Sequence, residues 1–144
     1  MKKFQAIIIS VFFIFNFSYP QNIVGKIYSN SEANTIYGSV LNSVPISSIQ
    51  LYNLTIKTKN YLMFRIFNKN LTILGDNRIV LYPENTVINP QDVFRFFSIS
   101  LIQKIIKDGN GSMTFIELRN NGIITITNGS YTMEVSAECP PFCN

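Results

Sequence analysis

Residues 113–136 read MTFIELRNNGIITITNGSYTMEVS. Met113 to Arg119, Ile123 to Thr127 and Tyr131 to Ser136 are rich in β-branched and aromatic residues, and Asn121-Gly122 and Asn128-Gly129 separate them. Asn-Gly accepts the positive φ angles of a tight hairpin turn, so this stretch predicts three antiparallel strands. The pattern occurs once more upstream. Tyr61 to Phe67, Leu71 to Leu74 and Arg78 to Tyr82 form β-rich runs, with Asn68-Lys69-Asn70 and Gly75-Asp76-Asn77 as turns and Pro83 as the stop. Two three-stranded meanders are expected.

Each meander follows a helical pattern. Asn89-Pro90-Gln91-Asp92 supplies a cap, a proline at the first helical position and an acid in the first turn. Phe94, Phe97, Leu101 and Ile105 then recur at three- and four-residue steps, widened by Val93, Ile102 and Ile106, with Gly109 as the C-cap. Before the first meander, Ser47-Ser48-Ile49-Gln50 offers a capping box, and Leu51 and Leu54 share a helical face. Leu54-Thr55-Ile56 also alternates as a strand would, and helix is favoured. Further upstream, Ser29-Asn30-Ser31-Glu32 fits a capping box for a helix over Ala33 to Tyr37 that ends at Gly38. Val40 to Ile46 reads as a strand that Pro45 confines to an edge or an end.

An offset of 52 residues places Ser48 on Ser100, Asn68 on Asn120, Leu71 on Ile123, Asp76-Asn77 on Asn128-Gly129, and Leu81 on Met133. A duplicated unit over about 47–82 and 90–136 is the reading of that similarity. The expected fold is α+β: antiparallel sheet or sheets built from two helix-plus-three-strand units, with the helices on one face. In layout alone, this resembles the tandem architecture of β-lactamase-inhibitory proteins and related periplasmic domains. Fold-level analogy does not give function, but it raises the class of binding modules.

The 144 residues suffice for one domain with a core. Charged residues make up 14%, well below the roughly 25% of an average soluble chain, and Asn and Ile are heavily used, as in an AT-rich genome. The start, MKKFQAIIISVFFIFNFSYPQN, has a secretory leader's parts: Lys2 and Lys3, an apolar run from Ala6 to Phe15, then small and polar residues. Ten apolar residues span about 15 Å as a helix, about half a bilayer core. Cleavage is expected between Ser18 and Gln21, so the parts are a leader at 1–21, a domain at 22–137 and a tail at 138–144. The mature protein is expected outside the cytoplasm, in the periplasm or the medium, with no membrane span. Without Lys2 and Lys3, ten basic residues face eight acidic ones, for a net charge of +2, and none cluster. That argues against nucleic acid as a partner.

The tail holds both cysteines, Cys139 and Cys143, in Glu138-Cys139-Pro140-Pro141-Phe142-Cys143-Asn144. In an oxidising compartment the pair reads as a disulfide that closes a small loop and stiffens the tail. The spacing is not that of thiol oxidoreductases, and with no His there is no zinc set.

The absence of His also removes every Ser-His and Cys-His constellation. Eight carboxylates remain: Glu32, Asp76, Glu84, Asp92, Asp108, Glu117, Glu134 and Glu138. No two lie close on one face, so no catalytic residue and no cofactor is assigned. Residues 107–118, KDGNGSMTFIEL, carry part of a calcium loop and resemble an EF-hand to that extent. Asp108, Asn110, Gly111, Ser112, Thr114 and Glu117 fall at positions 3, 5, 6, 7, 9 and 12. Ile106 stands where the first acid belongs, and Asn121-Gly122 sits where the second helix would begin. A helix-to-strand link is the favoured reading. Asn-x-Ser/Thr triplets occur at Asn53, Asn70, Asn110 and Asn128, and Tyr28, Tyr37, Tyr52, Tyr61, Tyr82 and Tyr131 could enrich a binding face. The function expected is a small exported bacterial domain, not an enzyme, that binds a protein partner in the envelope or medium. A calcium module on residues 106–117 and a hydrolase using a carboxylate pair are the alternatives.

Overall fold

The structure is a computed structural model that describes residues 23–134 and 136–139. The expected leader at 1–21 and Cys143 lie outside these residues. Among the described residues, three α-helices and ten strands form an α+β fold with two five-stranded antiparallel sheets. Sheet A is ordered β1 (Lys26–Ser29), β9 (Tyr131–Glu134), β8 (Ile124–Asn128), β7 (Met113–Arg119), β2 (Val40–Ser47). Sheet B is ordered β10 (Ala137–Cys139), β6 (Phe94–Ser98), β3 (Tyr61–Phe67), β4 (Asn70–Leu74), β5 (Val80–Tyr82). The helices are α1 (Asn30–Tyr37), α2 (Ser48–Thr55) and α3 (Ile99–Gly109).

Two halves repeat one order, β2-α2-β3-β4-β5 and β6-α3-β7-β8-β9. The strand that leads into each helix pairs in the other half's sheet. Ser47 at the end of β2 sits opposite Met113, and Ser98 at the end of β6 sits opposite Tyr61. The first helical N–H of α2 donates to Ser112 O at 2.9 Å, and that of α3 donates to Asn60 O at 3.0 Å. The loop after each helix is tied down from matching positions. The Asp76 carboxylate accepts from the N–H groups of Lys59, Asn60 and Tyr61 at 2.9, 3.0 and 3.1 Å. Its counterpart Asn128 accepts from Gly111 N–H at 2.8 Å and donates to Ser48 Oγ and Thr114 Oγ1, both at 2.8 Å. An acceptor-only group serves where donors alone converge. An amide serves where donors and acceptors are mixed.

One face of each sheet and the helix pair α2–α3 share a core. Leu51 and Leu54 of α2 and Ile102 and Ile105 of α3 meet Phe64 and Phe97 from sheet B and Ile116 and Ile126 from sheet A. The rings of Phe64 and Phe97 pack edge to face at 5.9 Å. A second apolar cluster of Met63, Leu74, Phe94, Phe96 and Cys139 covers the other face of sheet B. Sheet B reaches Cys139, so it runs into the segment expected as a tail.

Several expectations hold: both meanders, the capping box at Ser29 and Glu32, and the edge position of Pro45. Others are corrected. The helix expected from Pro90 begins at Ile99. Asn89 to Asp92 form a turn closed by Asp92 N–H to Asn89 O at 3.0 Å, and Phe94 to Ser98 are a strand. Phe94 and Phe96 face the second cluster and Phe97 faces the core, so both faces of β6 are buried. A strand buried on both faces shows an unbroken apolar run, which periodicity does not separate from a helix. The capping box at Ser47 is not formed, because Ser47 is the last residue of β2 and makes no side-chain cap. Asn128 stays in β8 and the turn residues are Gly129 and Ser130. The strands β1 and β10 were not anticipated. Helix α1 lies on the outer face of sheet A, away from the helix pair: the chain alternates along β7, so Arg119, which bonds α1, faces away from Ile116.

Candidate functional site

Helices α2 and α3 occupy matching places 51 residues apart. Leu51 corresponds to Ile102 and Leu54 to Ile105, and all four are buried. Their outward positions differ. Ile49, Tyr52 and Ile56 are 75%, 45% and 67% exposed, and their three- and four-residue spacing places them on one stripe of α2 and its C-cap. The corresponding positions on α3 are Ser100, Gln103 and Lys107. The same location in the same architecture therefore tolerates polar residues. Packing does not require the three apolar side chains on α2.

A groove lies on each side of that stripe. One, of about 570 Å³, runs between α2 and the end of β5, lined by Ile49, Asn53, Lys57, Tyr82, Pro83 and Glu84 among others. The second, of about 580 Å³, runs between α2 and α3 and includes Tyr52, Gln103, Lys104, Ile106, Lys107 and Asp108. The first groove carries Lys57 and Glu84, and the second carries Lys104 and Lys107 against Asp108. Lys57, Lys59 and Lys107 form no ion pair among the described residues. Lys104 pairs with Asp108, and this hydrogen bond holds the ammonium above the ordinary lysine range.

The residues singled out from the calcium-like stretch do not converge. Asp108 is on α3 and bonds Lys104, and Asn110 is the left-handed C-cap of that helix at φ 50°. Glu117 is on β7, next to core residue Ile116, so its side chain lies on the outer face of sheet A, across the sheet from α3. Among the described residues no group of three or more His, Cys, Asp or Glu is placed to hold a metal ion. The glycines of this stretch serve close approach. A Cβ on Gly109 would overlap Asn128, and a Cβ on Gly129 would overlap the carbonyl of Gly109. KDGNGSMTFIEL is the link between α3 and β7, clamped by Asn128.

The remaining acids other than Glu84 are held by local partners. Glu32 closes the cap of α1, and its hydrogen bonds from the Ser29 side chain and backbone hold its carboxyl below the ordinary range. Asp92 pairs with Arg65 at 2.8 Å, and Glu138 with Arg95 at 2.6 Å. Glu134 Oε1 accepts from Ser136 Oγ at 3.2 Å. Glu84 lines the first groove. Glu117 Oε2 accepts from Arg119 Nη2 at 3.0 Å, Thr125 Oγ1 at 3.0 Å and Thr127 Oγ1 at 2.9 Å. Arg119 is buried and also donates to Asn34 Oδ1 at 2.6 Å and to Gly38 O at 2.7 Å. This polar cluster fastens α1 to sheet A and satisfies a buried guanidinium. Burial, a hydrogen bond with Tyr28 and the nearby Glu134 push the Tyr37 hydroxyl well above its ordinary range.

The tyrosines do not share one face. Tyr28 stacks edge-on against Tyr37, and Tyr61 against Phe96, while Tyr82 lines the first groove and Tyr52 the second. Of the four glycosylation-type triplets beyond the expected leader, the one at Asn128 is fully buried. Cys139 is buried in the second cluster, where Arg78 Nη1 donates to its carbonyl at 3.2 Å; the expected partner Cys143 lies outside the described residues.

No family model, curated protein or solved structure matches the chain, so the layout shared with β-lactamase-inhibitory proteins has no match behind it. No helix among the described residues is long and apolar enough to cross a membrane. Sequence reasoning missed Ile49 and Ile56, because apolar residues on a short helix read as core. The signal that finds them is internal: α2 carries apolar residues on two faces where its counterpart α3 carries them on one.

Proposed function

We propose that this chain is a small exported domain, not an enzyme, that binds a partner protein through the outward face of α2 and the grooves beside it. The observation that carries this reading is the contrast between Ile49, Tyr52 and Ile56 on α2 and Ser100, Gln103 and Lys107 at the same positions of α3. Exposed apolar side chains lower solubility, and a stripe of them beside concave surface is the usual form of a protein contact. The lack of His and the engagement of every described acid but Glu84 in caps, turns, hydrogen bonds and ion pairs support a non-catalytic role. Export rests on the leader-like start. In that setting a Cys139–Cys143 bridge closes the tail, and both thiols should alkylate only after reduction.

The test is site-specific photo-crosslinking in the exporting cell, with the reactive residue at Tyr52. Val87, 94% exposed and outside both grooves, is the control position. A discrete adduct from Tyr52 that is absent from Val87 is the expected result. Equal, diffuse labelling from both positions would sink the reading.

A further inference from the structure

The docking face carries information about what it receives. Among the described residues the four arginines are all engaged: Arg65, Arg95 and Arg119 in ion pairs, and Arg78 on backbone carbonyls of Asn89, Asp92 and Cys139. Unpaired positive charge is therefore left to lysines. Lys57 lines the first groove, Lys107 lines the second, and Lys59 follows α2. Lys104 adds a fourth ammonium, offset by Asp108. Glu84 offsets Lys57 in the first groove, so the net positive charge beside the apolar stripe lies in the α2–α3 groove.

Three occupants could cover an apolar stripe of this kind, and charge and shape separate them. A second copy related by a two-fold axis would bring the same patch against itself. The net positive charge of the α2–α3 groove would then meet itself over a desolvated contact, which is unfavourable. A membrane surface is flat, and the mature chain's net charge of +2 gives a weak field toward anionic lipid. The grooves are concave, and each is large enough to take side chains from a partner. The one between α2 and α3 is a channel beside a helix pair, the form that seats a third helix at about 8–10 Å between axes.

Resting on the docking reading above, we propose that the partner presents an amphipathic helix whose apolar stripe is bordered by acidic side chains, seated along the α2–α3 groove. Its apolar anchors, at spacings of three and four residues, pack on Tyr52, Ile56 and Ile106. Its acids meet Lys104 and Lys107.

Two synthetic helical peptides of about 18 residues test this, long enough to populate helix in water. They share one leucine stripe and differ only in having Glu or Lys along its borders. Each is titrated into the isotope-labelled mature protein at low salt, followed by NMR. The Glu-bordered peptide is expected to bind at least about tenfold more tightly, the electrostatic share of a few surface pairs. Its shifts should centre on Tyr52, Ile56 and Ile106. Lys107→Glu should invert the preference, since the groove would then hold two acids and one lysine. Lys107 is solvent-facing in the last turn of α3, so the variant should lower the unfolding midpoint by only a few degrees, which separates lost binding from lost fold.

Equal binding of the two peptides, binding of neither, or shifts centred elsewhere would overturn the proposal. So would co-sedimentation with phosphatidylglycerol vesicles in place of peptide binding, or self-association through the same residues. A discrete crosslink from Tyr52 together with no acid preference would remove this inference and leave the docking reading standing. Loss of the crosslink would remove both.

Discussion

Asp76 and Asn128 hold matching loops with side chains of almost identical shape, so exchanging acid and amide tests polarity alone. In Asp76→Asn, the amide oxygen can turn toward Lys59 and Asn60, which now lose the charge on their acceptor. The amide NH₂ then faces the N–H of Tyr61, and that bond is lost. A hydrogen bond to a charged group contributes about 1.5–3 kcal/mol, and the half-buried position argues for the lower part of that range. The expected loss is about 2–3 kcal/mol, or roughly 10 °C in midpoint for a domain of this size. Asn128→Asp should cost more. It removes both donors to Ser48 and Thr114 and turns a carboxylate oxygen toward the carbonyls of Gly111 and Met113, each 3.3 Å from Nδ2, at a fully buried site. An uncompensated buried charge costs roughly 3–5 kcal/mol. Urea unfolding followed by far-UV circular dichroism, with the slope held common, measures both. A loss below about 0.5 kcal/mol in either variant, less than one ordinary hydrogen bond, would refute the assignment of these side chains as loop clamps.

Three further outcomes are expected. Gly109→Ala and Gly129→Ala should each destabilise by several kcal/mol, because the added methyl overlaps Asn128 or the Gly109 carbonyl, whereas Gly122→Ala, at φ 78° in open space, should lose only about 1–2 kcal/mol of backbone strain; equal effects in urea titration would contradict the close approach. Thermal unfolding with calcium and with chelator should coincide, since Asp108 and Glu117 lie on opposite sides of sheet A; a calcium-dependent rise in midpoint would restore the metal reading of residues 106–117. Glu32 has its carboxyl lowered in the fold, so its contribution is present above the unfolded-state value and is lost as pH falls through the folded-state value. Glu32→Gln should therefore flatten the acid limb of a midpoint-against-pH curve, and an unchanged limb would count against the cap.

How far the chain was legible follows the reach of each signal. Local chemistry was readable where a residue type has one backbone solution. Ser29 and Glu32 close a cap, Asn68 and Lys69 turn at φ 48° and 65°, and Pro45 sits on an edge. Pairing was not readable. That β2 joins sheet A while its own helix leads to sheet B depends on contacts more than sixty residues apart, as Ser47 with Met113 shows, and nothing near Ser47 encodes them. β6 failed for a related reason: burial of both faces erased the period that would have marked it as a strand. The alignment at one offset of 52 placed Ser48 on Ser100, while the structure sets the helices 51 apart and the loops 52 apart. That one-residue slip concealed the comparison of outward faces on which the candidate site depends.

The exchange of leading strands also explains why the site is on α2. Each half's helix is held at its start by the other half's loop, Ser48 by Ser112 and Ile99 by Asn60, so neither half is complete alone. Both helices are thereby fixed at both ends, and Gln103 Nε2 adds a tie between them by donating to Thr55 Oγ1 at 3.0 Å. α3 shows an outward face without added demand: Ser100, Gln103, Lys104 and Lys107. On that face α2 departs from it at three positions, all apolar and all on one stripe, while Leu51 and Leu54 keep the inward places of Ile102 and Ile105. A side chain that changes in kind where its packing duty is unchanged is answering to something outside the domain. A rigid helix anchored at both ends is a suitable surface to present it, because little conformational freedom remains to be lost when a partner binds.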